Sequence, residues 1–301
     1  MLPITPDLSV AAIRAMLAKQ FPDLALASVV PIAEGGDFQT VRVGEALIFR
    51  FPRDERTAAR LRREIAVLPA LRPALTLAIP AYSHIGVPSP CYPYPFAGYP
   101  LLPGVSGERV RPGPRARDAV ARQFGAFFSA LHAYPIEQIG APLPVRPLPD
   151  SAALLGRIAA HASLLRSAVP GALTPAMQPY LRGAVEVPTP WPFPPVLCHT
   201  DLKGEHVLVS EDGGRVLGIL DWSDLARCDP ATDVRGVWIW LGEAFVADVL
   251  RHYTAPADPH LFERAGFYAR CGALEQLVLR FTGASDAPLD LLLTQLRYAF
   301  T

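Results

Sequence analysis

Four residues able to carry out chemistry are concentrated in a short part of this 301-residue chain. His199 and Asp201 follow an apolar run that begins at Val196, and His206 comes five residues after Asp201. Asp221 follows a later apolar run. Carboxylates and imidazoles are the side chains that most often move protons or hold metal ions. This region is therefore the first candidate for a functional site.

The elements around these residues explain how they could meet. Apolar runs at 207–209 and 216–220 flank a polar segment that contains Gly213-Gly214, a pattern that predicts a β-hairpin. Because His206 and Asp221 are about equally far from the turn, the hairpin would bring them together at its open end. Asp201 would lie close by, in the loop before the first strand.

This stretch resembles the catalytic region of aminoglycoside phosphotransferases and their protein-kinase-like relatives. The resemblance rests on His199-Thr200-Asp201-Leu202-Lys203-Gly204-Glu205-His206, on Asp221-Trp222-Ser223, and on Asp229-Pro230-Ala231-Thr232-Asp233. It implies that Asp201 orients and deprotonates an acceptor hydroxyl, and that Lys203 reaches the transferred phosphate. It also implies that His206 and Asp221 hold Mg²⁺. His206 stands where most kinases have Asn, and Mg²⁺ prefers oxygen ligands.

Strand-like runs at 28–33, 40–43 and 46–51 predict a small antiparallel sheet upstream. Strand alternation places Arg50 on one face with Ile48, and an arginine on an apolar strand needs an anion. By the resemblance, Arg50 replaces the lysine that contacts nucleotide phosphates, and Glu64 on the following helix is its partner. Gly35 and Gly36 could let backbone amides approach a phosphate, although such a pair is more often an ordinary turn.

The resemblance implies an α+β fold of the bilobal protein-kinase-like type, with a small antiparallel-sheet N-lobe and a mainly α-helical C-lobe. The predicted N-terminal nucleotide-binding lobe covers 1–97, the hinge lies at about 93–98, and the catalytic and acceptor-binding lobe covers 98–301. Backbone groups around Tyr94, Phe96 and Ala97 would contact the adenine or guanine base. Helical periodicity predicts helices from Thr5-Pro6 to Phe21 and at 119–132, 152–167, 175–184, 234–241, 244–253, 260–283 and 288–300.

Composition narrows the function class. The formal net charge is zero, which gives no indication of nucleic acid or a membrane surface as partner, and no apolar run approaches the roughly 20 residues of a membrane span. Four separated cysteines without a CxxC pair favour a reducing cytoplasm. Residues 201–301 carry 15 acidic against 9 basic residues, which suits either a cationic acceptor or a solvated acidic face.

The expected activity is that of a small-molecule kinase that moves the γ-phosphate of ATP or GTP, with Mg²⁺, onto a hydroxyl of an aminoglycoside-like antibiotic. Seven residues between Asp221 and Asp229 are too few for a peptide-docking activation segment. Macrolide, choline or homoserine kinases are alternatives within the same class. A nucleotide-binding pseudokinase remains open because Arg50 and His206 depart from the commonest residues. A metallohydrolase is disfavoured, since the chain has no HxH or HExxH motif. Either a monomer or a homodimer is compatible with the sequence.

Overall fold

The computed structural model describes residues 8–34, 37–147, 150–254 and 258–301. Its N-terminal part is an antiparallel sheet in the order β1-β2-β3-β5-β4. The strands are β1 (Val29–Glu34), β2 (Phe38–Val43), β3 (Leu47–Pro52), β4 (His84–Gly86) and β5 (Phe96–Pro100). Helix α1 (Val10–Gln20) precedes the sheet, and α2 (Glu55–Leu71) follows β3. The predicted small N-lobe is thus confirmed.

The first helix ends before Pro22 as predicted, but it begins at Val10, where the Ser9 side chain accepts a hydrogen bond from Ala12 N–H. The predicted start at Thr5-Pro6 lies outside the described residues. Alternation along β3 separates two environments. Phe49 and Phe51 are fully buried in a cluster with α1 residues, whereas Arg50 faces the opposite way. The strand therefore carries one cation from an apolar core toward the other lobe.

The structure moves the predicted hinge and lobe boundary. Ala97 is paired on both sides, with Arg50 of β3 and with Ile85 of β4, so its backbone serves the sheet. Phe96 and Ala97 are both fully buried. The chain crosses between the lobes only after Pro100, at 101–104, and not at 93–98. The aromatic side chains that suggested a loop instead bury apolar surface inside the N-lobe.

The remainder of the chain is mainly helical, as predicted. Its helices are α3 (Arg117–His132), α4 (Ser151–Ala160), α5 (Ala162–Ala168), α6 (Gln178–Leu181), α7 (Ala231–Leu241), α8 (Glu243–Leu250), α9 (Leu261–Phe281) and α10 (Leu289–Ala299). The single helix predicted at 152–167 is broken at His161, whose Nδ1 is 2.8 Å from the Arg157 carbonyl oxygen. The one predicted at 175–184 is a 3-10 turn followed by the short α6.

Short strands in the C-lobe support the candidate site. The predicted hairpin is present as β8 (Val207–Val209) and β9 (Val216–Ile219), with β6 (Val105–Ser106) on its outer side. Gly213 has a φ of 67° in the turn, a conformation that glycine adopts without strain. A second pair, β7 (Val196–Cys198) and β10 (Ala226–Cys228), borders the loop that carries Asp201. Among the described helices, none is long and apolar enough to span a bilayer.

Candidate active site

One buried carboxylate, that of Asp233, anchors the backbone of the loop from His199 to His206. Asp233 in the first turn of α7 accepts hydrogen bonds from the backbone N–H groups of His199 at 2.9 Å and Thr200 at 2.7 Å. His132 Nε2 lies 3.2 Å from the same carboxylate. Burial would raise the pKa of Asp233, but the contact with His132 and the other hydrogen bonds lower it below its ordinary value. Asp233 is therefore an ionised anchor for the loop.

The backbone of this loop is strained next to Asp201. Thr200 has a φ of 70°, and Asp221 across the hairpin has a φ of 57°. A left-handed β-branched residue costs on the order of 1–3 kcal/mol and persists only where its surroundings impose it. Here Thr200 Oγ1 also donates to the Asp224 carbonyl oxygen at 2.7 Å. Strain at these two positions fixes the direction in which the Asp201 and Asp221 side chains point.

His199 connects the loop to the end of the hairpin. Burial lowers the pKa of His199, so its ring is neutral near pH 7. Its Nε2–H donates to the Leu220 carbonyl oxygen at 2.8 Å, and its Nδ1 accepts from the Asp201 N–H at 3.3 Å. The ring also packs edge-on against Trp222, with centroids 4.8 Å apart. His199 thus positions Asp201 relative to Asp221 and does not itself face the cleft.

The three residues expected at the open end of the hairpin do meet there. His206 Nε2 lies 3.7 Å from Asp221 Oδ2, and His206 Nδ1 lies 3.6 Å from Asp201 Oδ2. Nδ1 is also 2.7 Å from the Asp201 carbonyl oxygen, which can only accept, so Nδ1 carries the proton. His206 Nε2 therefore faces the carboxylate of Asp221.

Arg50 reaches the same place from the N-lobe. It donates to Glu64 Oε2 at 2.8 Å and to Asp221 Oδ1 at 2.7 Å, so one guanidinium joins the small lobe to the hairpin. Burial opposes the charge on Arg50, but Glu64 and Asp221 raise its pKa well above the usual value. Burial raises the pKa of Asp221, but Arg50 and His206 together lower it by more, so that the pKa of Asp221 lies below its ordinary value. The direct contact between Arg50 and Asp221 was not predicted.

A cleft of about 820 Å³ between the lobes is lined by five of the eleven predicted site residues. Its lining includes Arg50, Asp201, Lys203, His206 and Asp221. Apolar walls come from both lobes, as Ile48, Leu101, Leu102 and Leu208. Glu64 does not line the cleft but bonds to Arg50 from behind. The cleft lining also lacks Tyr94, Phe96 and Ala97. Gly35 and Gly36 lie outside the described residues. The base contacts at Tyr94, Phe96 and Ala97 stay a prediction, and the chain nearest the cleft at the crossover is 101–104.

Lys203 lies on the floor of the cleft but is not isolated there. Its Nζ is 2.6 Å from Glu205 Oε1 and 3.5 Å from Asp201 Oδ2. Glu205 Oε1 is also 3.4 Å from His206 Nε2, which makes Glu205 part of the site. The sequence pointed to its neighbours and missed Glu205, although a 3-10 turn at Gly204–His206 presents both Glu205 and His206.

A second cavity of about 220 Å³ opens on the other side of Asp201, between α7, α9 and α10. Asp201, Lys203 and Glu205 line both cavities. The smaller cavity adds Arg235 from α7, which the sequence did not single out, and Glu275 from α9. A carboxylate shared by a large cleft and a small cavity can act between one molecule bound in each.

The donor atoms around His206 fit a divalent cation. Asp221 Oδ1 is engaged by Arg50 and by Ser223 at 2.9 Å, which leaves Oδ2 as the oxygen that faces His206 Nε2. An ionised carboxylate oxygen is a good ligand for Mg²⁺, and an imidazole nitrogen suits softer divalent ions as well. His206 and Asp221 are thus the residues that would hold a metal, with Glu205 in reach.

The chain resembles known proteins over most of its length. Residues 28–267 match the model of the phosphotransferase enzyme family. A GDP complex of an aminoglycoside 2′-phosphotransferase-IIIa variant is 27% identical with a TM-score of 0.74, and the match covers 96% of each chain. The GDP and kanamycin complex of APH(2″)-IIIa is 26% identical with a TM-score of 0.70, covering 95% of this chain and 96% of that one.

Two further similarities are more distant or shorter. The macrolide 2′-phosphotransferase MphH from Brachybacterium faecium shares the fold, with 23% identity, a TM-score of 0.65 and coverage of 95% and 97% of the two chains. The uncharacterized protein YcbJ from Bacillus subtilis (strain 168) is 38% identical over 63 residues. That stretch is 21% of this chain and only 20% of the relative's length.

Proposed function

Because the chain belongs to the phosphotransferase enzyme family, we propose that it is a small-molecule kinase that transfers the γ-phosphate of ATP or GTP to a hydroxyl group. One observation carries the proposal. Asp201, His206 and Asp221 converge on the floor of the interlobe cleft, and Arg50 enters the same cleft from the opposite lobe. Phosphoryl transfer needs this combination of a hydroxyl-orienting carboxylate, a cation site and a phosphate-binding side chain.

In this proposal the nucleotide occupies the 820 Å³ cleft. The purine lies between the apolar walls near Leu101 and Leu102, and the phosphates extend toward Arg50. A divalent cation held by His206 and Asp221 would neutralise charge on the phosphates. GDP and ADP complexes among the similar structures support a purine nucleotide as donor, and Mg²⁺ is the expected ion.

Asp201 acts on the acceptor. Its carboxylate accepts a hydrogen bond from the hydroxyl and takes the proton as the new oxygen–phosphorus bond forms. The bond from the γ-phosphorus to the bridging oxygen breaks, and the nucleoside diphosphate leaves. Lys203, whose Nζ is 3.5 Å from Asp201 Oδ2, stabilises negative charge on the transferred phosphoryl group. To reach that group, Lys203 must break its ion pair with Glu205.

The acceptor is a small molecule, because the short segment between Asp221 and Asp229 offers no docking platform for a peptide. An aminoglycoside is the first acceptor to test, since the kanamycin complex of APH(2″)-IIIa is among the similar structures. Macrolides and small hydroxylated metabolites such as choline or homoserine complete the panel. A pseudokinase would bind nucleotide and transfer nothing.

The test is an Asp201→Asn variant, which keeps the shape of the side chain and removes the base. We expect kcat to fall by about 10²–10⁴, while the Kd for the nucleotide changes little, because Asp201 touches the acceptor rather than the purine. Phosphate incorporation is measured by mass spectrometry and nucleotide binding by calorimetry. Asp212→Asn, in the exposed turn at the far end of the hairpin, is the control and should retain full turnover.

Wild-type turnover in Asp201→Asn would refute the assigned role of Asp201. Nucleotide binding by the wild-type protein without phosphorylation of any acceptor would support the pseudokinase instead.

A further inference from the structure

Among the described residues, Arg235 has no hydrogen-bond or ion-pair partner, and it lines the same cavity as the proposed base Asp201. It lies on α7, two residues after Asp233, and its side chain is half-buried in the wall of the 220 Å³ cavity. Burial lowers the pKa of Arg235, and the charge of Asp201, which lines the same cavity, partly offsets this. A half-buried guanidinium with five unused donors is a binding site for an anion.

The acidic residues of this cavity do not offer the opposite charge. Glu275 accepts two hydrogen bonds from Arg157, at 2.7 and 3.0 Å, and Glu205 is paired with Lys203 at 2.6 Å. Three acidic residues elsewhere in the C-lobe are also neutralised. Asp229 and Asp258 both bond to Arg264, and Glu243 bonds to Arg270. The acidic excess of residues 201–301 therefore does not gather at the cavity, and a polycation would meet Arg235 there.

Space for the guanidinium is built into the opposite helix. Gly272 lies in the middle of α9, where glycine costs about 1 kcal/mol relative to alanine. A Cβ atom at this position would lie 3.3 Å from Arg235 Nη1. The rest of the wall is largely apolar, with Ile239, Ala273 and Leu292, and Gln276 adds an amide. A volume of 220 Å³ is below the roughly 300–1,000 Å³ of pockets for drug-sized ligands.

We propose that Arg235 selects the acceptor, which is a small hydroxylated molecule carrying a carboxylate or phosphate group close to the reacting hydroxyl. The anionic group binds the guanidinium, the carbon framework packs on the apolar wall of α9 and α10, and the hydroxyl faces Asp201. This inference rests on the proposed kinase activity and narrows its acceptor class. It departs from the aminoglycoside-like acceptor expected from the sequence, because the charge beside Asp201 has the wrong sign for an amine.

The test compares acceptors in matched pairs. The full-length protein with Mg²⁺ and ATP or GTP is offered three carboxylic acids, glycerate, shikimate and gluconate, each beside its neutral amide. Glycerol 3-phosphate, glycerol and kanamycin are further comparisons. We expect kcat/KM to favour the acids by about tenfold to a hundredfold, the value of a charge-assisted bidentate contact. In Arg235→Gln the preference should fall to within about twofold, through a higher KM with little change in kcat. Glycerol 3-phosphate, which has a phosphate and no carboxylate, shows whether phosphate serves as well as carboxylate.

Three further measurements separate recognition from a structural effect. Arg235→Lys should restore part of the preference, because it keeps the charge and loses the planar fork. Gly272→Ala should weaken binding of the same acids, measured by calorimetry in the presence of a non-hydrolysable nucleotide. Arg122→Gln removes an exposed positive charge on α3 and should change nothing.

Kanamycin phosphorylated in preference to every acid, or an acid preference unchanged in Arg235→Gln, would overturn the inference and leave the kinase proposal standing. Failure of every acceptor despite nucleotide binding would refute the kinase proposal and this inference with it.

Discussion

At the scale of single residues, the site depends on groups that do not touch a substrate. Asp233 is fully buried and accepts both backbone N–H groups that precede Asp201, while His199 holds Asp201 from the other side. These contacts compensate the left-handed conformation of Thr200. The position of the proposed base, Asp201, is therefore set by hydrogen bonds between residues that do not contact the substrate themselves.

Asp233→Asn tests this layer. An amide retains one accepting oxygen but turns an NH₂ group toward a backbone N–H or toward His132, so one buried donor loses its partner. We expect the free energy of unfolding to fall by about 1–3 kcal/mol at pH 7, measured by urea denaturation. Asp286→Asn, on the exposed loop before α10, is the control and should change stability by less than about 0.5 kcal/mol.

The same variant should alter the dependence of stability on pH. The folded pKa of Asp233 is lowered, so its carboxylate stabilises the protein above the ordinary aspartate value of about 3.9. This contribution disappears as the pH falls from that value through the lower folded pKa. The stability difference between the wild-type protein and Asp233→Asn should therefore be full at pH 5–7 and shrink below about pH 4. A difference that stays constant down to pH 3 would show that the carboxylate is not the stabilising group.

At the scale of elements, α7 organises the C-lobe around the catalytic loop. Successive faces of this helix carry Asp233 toward the loop and Arg235 toward the small cavity, and Trp240 donates to the Gly107 carbonyl oxygen at 2.9 Å. Gly236 lies against the loop itself, because a Cβ atom there would be only 1.7 Å from the Leu202 carbonyl oxygen. The helix and the loop can approach this closely only with glycine at that position.

Gly236→Ala should therefore separate α7 from the loop. We expect a loss of about 1–3 kcal/mol in unfolding free energy and a lower kcat, because Leu202 is the neighbour of Asp201. Gly156→Ala on α4 is the matched control, since its Cβ would meet nothing within 4 Å and should stabilise the helix by about 0.5–1 kcal/mol. Urea unfolding and turnover are measured for both. Equal stability and turnover in the two variants would contradict the close packing of α7 on the loop.

Elements defined by local pattern were predictable, and those defined by tertiary contact were not. Two apolar runs around Gly213 are enough to specify the hairpin, and strand alternation is enough to place Arg50 opposite Phe49. The sequence predicts a hinge at 93–98, because the prolines and tyrosines in and around this stretch suggest a loop. Burial in the N-lobe instead makes Phe96–Pro100 a strand. Arg235 has no local signal, since its importance arises from α9 and α10 packing around a cavity more than 30 residues away in sequence.

At the scale of the whole molecule, ion pairs connect the two lobes across the cleft. Arg50 of β3 bonds to Asp221, and Arg60 of α2 lies 3.4 Å from Asp224 in the turn after the hairpin. Arg60 also bonds to Asp37, at 3.1 Å, at the rim of the cleft. A nucleotide that contacts Arg50 in the N-lobe and a metal ion at Asp221 in the C-lobe binds best when these ion pairs hold the two lobes at the right separation. Lobe position and nucleotide affinity should therefore be coupled.

Arg60→Gln tests the coupling, and Arg56→Gln on the same helix is its control. Arg56 bonds to Asp37 at 3.1 Å, a contact on the N-lobe side of the cleft, whereas Arg60 reaches Asp224 in the C-lobe as well. Because both arginines keep access to water, each substitution should cost at most about 1 kcal/mol of stability. The Kd for Mg²⁺-nucleotide, measured by calorimetry, should rise roughly fivefold in Arg60→Gln, the equivalent of about 1 kcal/mol, and stay near the wild-type value in Arg56→Gln. Equal Kd values in the two variants would mean that the contact with Asp224 does not set the separation of the lobes.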